Sequence, residues 1–156
     1  MKLVRVTKTR LVFELSLREQ RMLHGLLKLY PCVPPAHHTL SKSGRVPDAE
    51  ANRQLLHEAL AEQRAENKKQ VDSLLTDPRR LASTPAGCRL SLPLSQLEWL
   101  LQVFNDIRVG SWILLGSPEG PPLDLTPAKV PYVLAMERAA YFQMQLLEAM
   151  EGERET

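Results

Sequence analysis

The sequence predicts an α+β fold, mainly α. A small three-stranded antiparallel sheet carries about four main helices packed around a central one, in a single globular domain over 1–150. Three observations predict it. Two runs rich in valine and leucine, 2–7 and 10–16, alternate on either side of Lys8-Thr9. Four segments place apolar residues at helical spacing. Clusters of proline and glycine separate these segments.

The alternating runs read as a β-hairpin closed by Lys8-Thr9. Ser16 then opens a helix, with Glu19 three residues on. That spacing is a capping box, in which the hydroxyl accepts from a free backbone N–H and the carboxylate reaches back. The helix is expected to run to about Tyr30, burying Met22, Leu23, Leu26, Leu29 and Tyr30, until Pro31 stops it. Residues 31–47 hold four prolines and read as an irregular loop. Asp48 caps a second helix, 49–75, apolar at Leu55, Leu56, Ala59 and Leu60 and again at Val71, Leu74 and Leu75. Its middle, 62–70, is almost wholly polar and is expected to be a solvated rod or a bend. Asp77-Pro78 predicts a short turn of helix over 78–83. A third strand is expected at 88–92 and a third helix at 94–115, closed by Gly116. After a Pro/Gly-rich linker, a last helix is predicted over 131–150. Its buried side is read as Val133, Met136, Ala140, Met144, Leu147 and Met150. The tail 151–156 is expected to fray.

The third helix carries the main site candidate. Leu97, Leu100, Leu101, Phe104, Ile107, Ser111 and Leu115 form one stripe, and Arg108 falls inside it one turn after Phe104. A buried guanidinium needs a specific partner. Glu19 is the first choice and Glu137 the second, with Asn105 and Gln143 as polar neighbours. Three readings follow: an ion pair that fixes helix packing, an anion-binding or catalytic pocket, or an arginine that snorkels out along its apolar stem. Asp106 is expected to face away, either solvated or in contact with a neighbouring loop, with a site role as the alternative. Trp99, Val103, Val109 and Ile113 make the helix apolar nearly all round. It is therefore expected to be central, or covered in an oligomer of the chain; the two are compatible.

Several function classes are disfavoured. The chain of 156 residues has 20 basic and 18 acidic side chains, a net charge of +2. That balance does not suggest a polyanion partner, and the basic doublets Lys68-Lys69 and Arg79-Arg80 are diluted by Glu66, Asp72 and Asp77. His37-His38 have no visible third ligand, so neither a metal nor a cofactor is expected. No glycine-rich phosphate loop and no nucleophile elbow occur. Cys32 and Cys88 read as free thiols in a reducing compartment. The amino-terminal residues lack an apolar signal core, and no apolar run is long enough for a bilayer. The expected setting is the cytoplasm, away from the membrane.

The run Leu100-Leu101-Gln102-Val103-Phe104-Asn105-Asp106-Ile107-Arg108, followed by Leu115-Gly116, resembles the signature segment of an uncharacterised bacterial family, domain of unknown function 2017. Members show Trp-Leu-x-x-Leu-Asn-Asp-Leu-Arg ending in Leu-Gly. This chain departs at Leu100 and Gln102, where the family favours tryptophan and arginine, and it carries the long loop 31–47. The family has no established activity. Its genes in actinobacteria often neighbour the adaptor of the Clp protease, so the resemblance implies a regulatory or proteostasis role. The functional expectation is a non-catalytic protein-interaction or regulatory module whose partner is another protein. A DNA-binding regulator and an enzyme with a pocket at Arg108 are the alternatives.

Overall fold

The computed structural model describes residues 1–35, 49–120 and 124–154. The chain is mainly helical, with one antiparallel four-stranded sheet. The strands are β1 (Lys2–Val6), β2 (Arg10–Ser16), β3 (Leu81–Thr84) and β4 (Gly87–Pro93), in the order β1-β2-β4-β3. The helices are α1 (Leu17–Leu27), α2 (Ala49–Thr76), α3 (Leu97–Leu114) and α4 (Val130–Arg154).

The period-2 pattern of β2 and β4 sets the sheet. Leu11, Phe13 and Leu15 of β2 and Cys88, Leu90 and Leu92 of β4 point into the core, while Glu14 and Arg89 stand opposite each other on the outer face. Their side chains meet at 3.0 Å, an exposed cross-strand pair. At the start of β4 a Cβ on Gly87 would lie 2.0 Å from the Leu15 carbonyl oxygen, so only glycine lets β4 close on β2 there.

The expected three strands become four. Asp77-Pro78 begins a turn and not a helix. Asp77 Oδ1 accepts the Arg79 N–H at 2.9 Å, and the chain leaves directly into β3, which pairs with β4. The same Asp-Pro signal serves an Asx turn or a helix start, and four residues of strand give little periodicity to tell them apart.

Helix α1 starts as expected. Ser16 Oγ accepts the Glu19 N–H at 3.1 Å and Glu19 Oε1 accepts the Ser16 N–H at 3.0 Å. Its core residues are Leu23, Leu26 and Leu27, followed by Tyr30, whereas Leu29 is exposed. Helices α3 and α4 pack on each other over their length, and Phe104 stacks on Phe142 with ring centroids 5.5 Å apart. Helix α4 runs on through Arg154, so the described part of the tail continues the helix.

Helix α2 corrects the picture of helices gathered round α3. It is anchored at its carboxyl end, where Val71 and Leu74 enter the core beside β3, while Leu55 near its start is 63% exposed. Its polar middle is not simply a solvated rod. Arg64 donates to the Val33 carbonyl and Asn67 Nδ2 to the Tyr30 hydroxyl at 3.1 Å, so this stretch holds the segment that follows α1. The remainder of the loop expected at 31–47 lies outside the described residues.

Candidate functional site

The buried arc of α3 decides where Arg108 goes. It runs from Gly110 and Val103 through Ile107, Leu100, Ser111 and Phe104 to Leu97. On a helical wheel Arg108 falls about 20° beyond Leu97, just outside the arc. Arg108 is exposed, and its Nη2 donates to Asn105 Oδ1 at 2.9 Å, one turn back on its own helix. The expected buried pair with Glu19 or Glu137 is therefore corrected. A helix apolar on nearly every side can turn either flank inward, and it buries the uncharged flank of Val103 and Gly110.

Glu19 is engaged elsewhere. Its carboxylate accepts from the Met1 ammonium and from the Tyr141 hydroxyl at 2.6 Å, and the ammonium also reaches Tyr141 at 3.0 Å. Burial pushes the Glu19 carboxyl up, but hydrogen bonds from the Met1 ammonium, Tyr141 and the Ser16 N–H outweigh it and hold it down at about 2. The bond to Glu19, reinforced by burial and by its negative charge, pushes the Tyr141 hydroxyl up to about 12. This cluster ties β1, α1 and α4 together.

Asp106 closes a second junction. Its Oδ1 accepts the Cys32 N–H at 2.6 Å and the Val33 N–H at 3.3 Å, just after the cis Tyr30–Pro31 bond. The two backbone segments touch there: a Cβ at Gly110 would lie 2.4 Å from the Cys32 carbonyl carbon. Cys32 Sγ lies 3.7 Å from the buried Ser111 hydroxyl. Of the roles the sequence allowed for Asp106, the structure forms the loop contact. The mid-helix glycine four residues on was the available signal for so close an approach.

Helix α4 supplies the exposed features. Its core face is Ala135, Ala139, Phe142, Leu146 and Ala149, so the stripe expected to be buried turns outward instead, with Met144 57% and Leu147 48% exposed. Among the described residues, a groove runs along each side of it. Between α3 and α4, one depression of about 400 Å³ is lined by Arg108, Ala140, Gln143, Met144, Leu147 and two glutamates, Glu148 and Glu151. Gln143 Nε2 also donates to the Leu101 carbonyl at 3.4 Å. Further along the same seam, a depression of about 390 Å³ is walled by Trp112, Leu115, Val133 and Met136, with Glu119 and Glu137 beside it. The site residues Arg108, Gln143 and Glu137 thus share one outer seam, and Glu19 does not.

Comparison with family models, with curated proteins and with solved structures finds no match to this chain.

The second groove runs between α1 and α4. Leu17, Arg18, Arg21, Met22 and Arg138 line one end, and Gly25, Leu26, Leu29, Val130 and Leu134 with Arg138 line the other. Sequence reading missed it because neither Arg18-x-x-Arg21 nor a single Arg138 stands out until the two helices are brought together. No helix among the described residues is long and apolar enough to cross a membrane.

Proposed function

We propose that this protein is a non-catalytic protein-interaction module of the cytoplasm, regulatory in role. One observation carries the reading. Helix α4 has apolar side chains around its whole circumference, yet only one face is covered, which leaves Leu134, Met144 and Leu147 on the surface. Exposed apolar side chains lining grooves rimmed by charge mark protein-binding sites. The resemblance to domain of unknown function 2017 agrees with a regulatory role and suggests proteostasis as its setting.

The alternatives have less support. A DNA-binding regulator would need Lys68, Lys69, Arg79 and Arg80 on one face and free, and three of the four are engaged. Lys68 pairs with Asp72 at 3.3 Å, Arg79 with Asp77 at 3.2 Å, and Arg80 donates to Gln96. For an enzyme at Arg108 a deep cleft open to solvent would be wanted, whereas the depression there is shallow.

The test is affinity capture from the native host after nuclease treatment, with wild type and with Leu134→Glu and Leu147→Glu. The reading expects a partner captured by wild type and lost with at least one variant. Capture that vanishes with nuclease alone would favour the DNA reading instead.

A further inference from the structure

We propose that the α1–α4 groove is a docking site for an acidic amphipathic helix of a partner protein. The inference rests on the interaction-module reading and specifies which surface binds and what chemistry it accepts.

The groove has an apolar floor with exposed walls. Leu26 and Ala135 are buried at its base, while Leu29, Val130 and Leu134 are 48%, 40% and 38% exposed along its sides. Leu17, 51% exposed, closes the far end. At 1.5 Å per residue, α1 gives the groove a length of about 15 Å, room for some three turns of helix. Both walls are helices whose backbone groups are already paired. An extended peptide would find no ladder to join, so an occupant must satisfy its own backbone, as a helix does.

Charge selects the occupant. Arg18, Arg21 and Arg138 rim the groove, and none has a hydrogen-bond or ion-pair partner among the described residues. Among the described residues, no carboxylate lines the groove beside them. Glu19, the one acid of α1, is committed to Met1 and Tyr141. Glu137, the one acid of α4 before Arg138, belongs to the opposite seam with Trp112. A chain that is nearly neutral overall thus has an apolar groove whose rim, among the described residues, is basic. Carboxylates on the flanks of a docked helix would pair with these arginines, while its leucine-like face covers the floor.

The experiment selects a phage-displayed library of random 16-residue peptides on the whole protein. Enriched peptides are then measured by fluorescence anisotropy. The proposal expects acidic sequences with apolar residues at i, i+3 or i+4, and i+7. Their affinity should fall at least about tenfold with Arg21→Glu or Arg138→Glu and hold with Arg108→Glu on the opposite seam. Arg138→Gln, which removes charge without reversing it, serves if the glutamate variant fails to fold, with a loss in the same direction. Enrichment of basic or uncharged peptides, or binding abolished by Met144→Glu and not by the arginine variants, would overturn this proposal and leave the interaction module standing. Self-association in light scattering that disappears with Arg138→Glu would assign the groove to a second copy and equally overturn it. No enriched peptide at all would count against both readings.

Discussion

Asp106 holds the backbone of Cys32: one carboxylate oxygen on α3 takes the Cys32 N–H at 2.6 Å and, more loosely, the next N–H of Val33. Two residues later on the same helix, Arg108 lies on the surface. The pair separates what the Asn-Asp-Ile-Arg run does for packing from what it leaves free.

Asp106→Ala should therefore be the costly change. It leaves two N–H groups without their acceptor, a loss of about 1–3 kcal/mol. Gly110→Ala should cost a similar amount or more, because its methyl group meets backbone and not a flexible side-chain end. Arg108→Ala should stay within about 0.5 kcal/mol of wild type. Urea denaturation of the three variants checks the ranking. A strongly destabilised Arg108→Ala would revive the buried ion pair.

The Glu19 cluster makes stability depend on acid. The carboxyl sits at about 2 in the folded chain against an ordinary 4.5. A depressed folded value means stability that is complete above the unfolded value and lost as pH falls toward the folded one. Wild type should lose about 1–2 kcal/mol more than Glu19→Gln between roughly pH 5 and pH 2, after allowance for solvent screening. Denaturation midpoints across that range measure it, and parallel pH profiles for the two proteins would contradict it.

The two thiols should react in order. Both are free. Burial, aided by the charge of Glu19, pushes the Cys88 thiol up to about 11, and burial also raises Cys32, which is only half-buried. Iodoacetamide should label Cys32 slowly in the native protein and Cys88 only on unfolding. Mass spectrometry of a labelling time course reads the order, and native labelling of Cys88 first would mean that the sheet opens more readily than its packing implies.

Much of the fold was legible because single residues carry unambiguous physics. Ser16 and Glu19 form the capping box their spacing implies, and the alternation in β2 and β4 follows the pleat. What was illegible shares one cause. Where apolar residues occupy every side of a helix, periodicity names no face. Val133, Met136, Ala140, Met144 and Leu147 make as good a stripe as the one that is buried. Packing chose Ala135, Ala139 and Ala149 because small side chains let α4 approach closely enough for Phe142 to stack on Phe104. Arg108 was misread for the same reason, by about 20° of rotation on α3. The α1–α4 groove needed two helices distant in sequence, and no local pattern announces such a site.

The central claim is that the uncovered faces of α4 are where this protein meets its partner. Photo-crosslinking in the native host tests it most directly, with a benzophenone amino acid placed singly at 134, 144 or 147, and at 58 on exposed α2 as control. The account predicts a discrete adduct from at least one α4 position and none from position 58. Adducts of equal yield at position 58, or none at any α4 position, would contradict it.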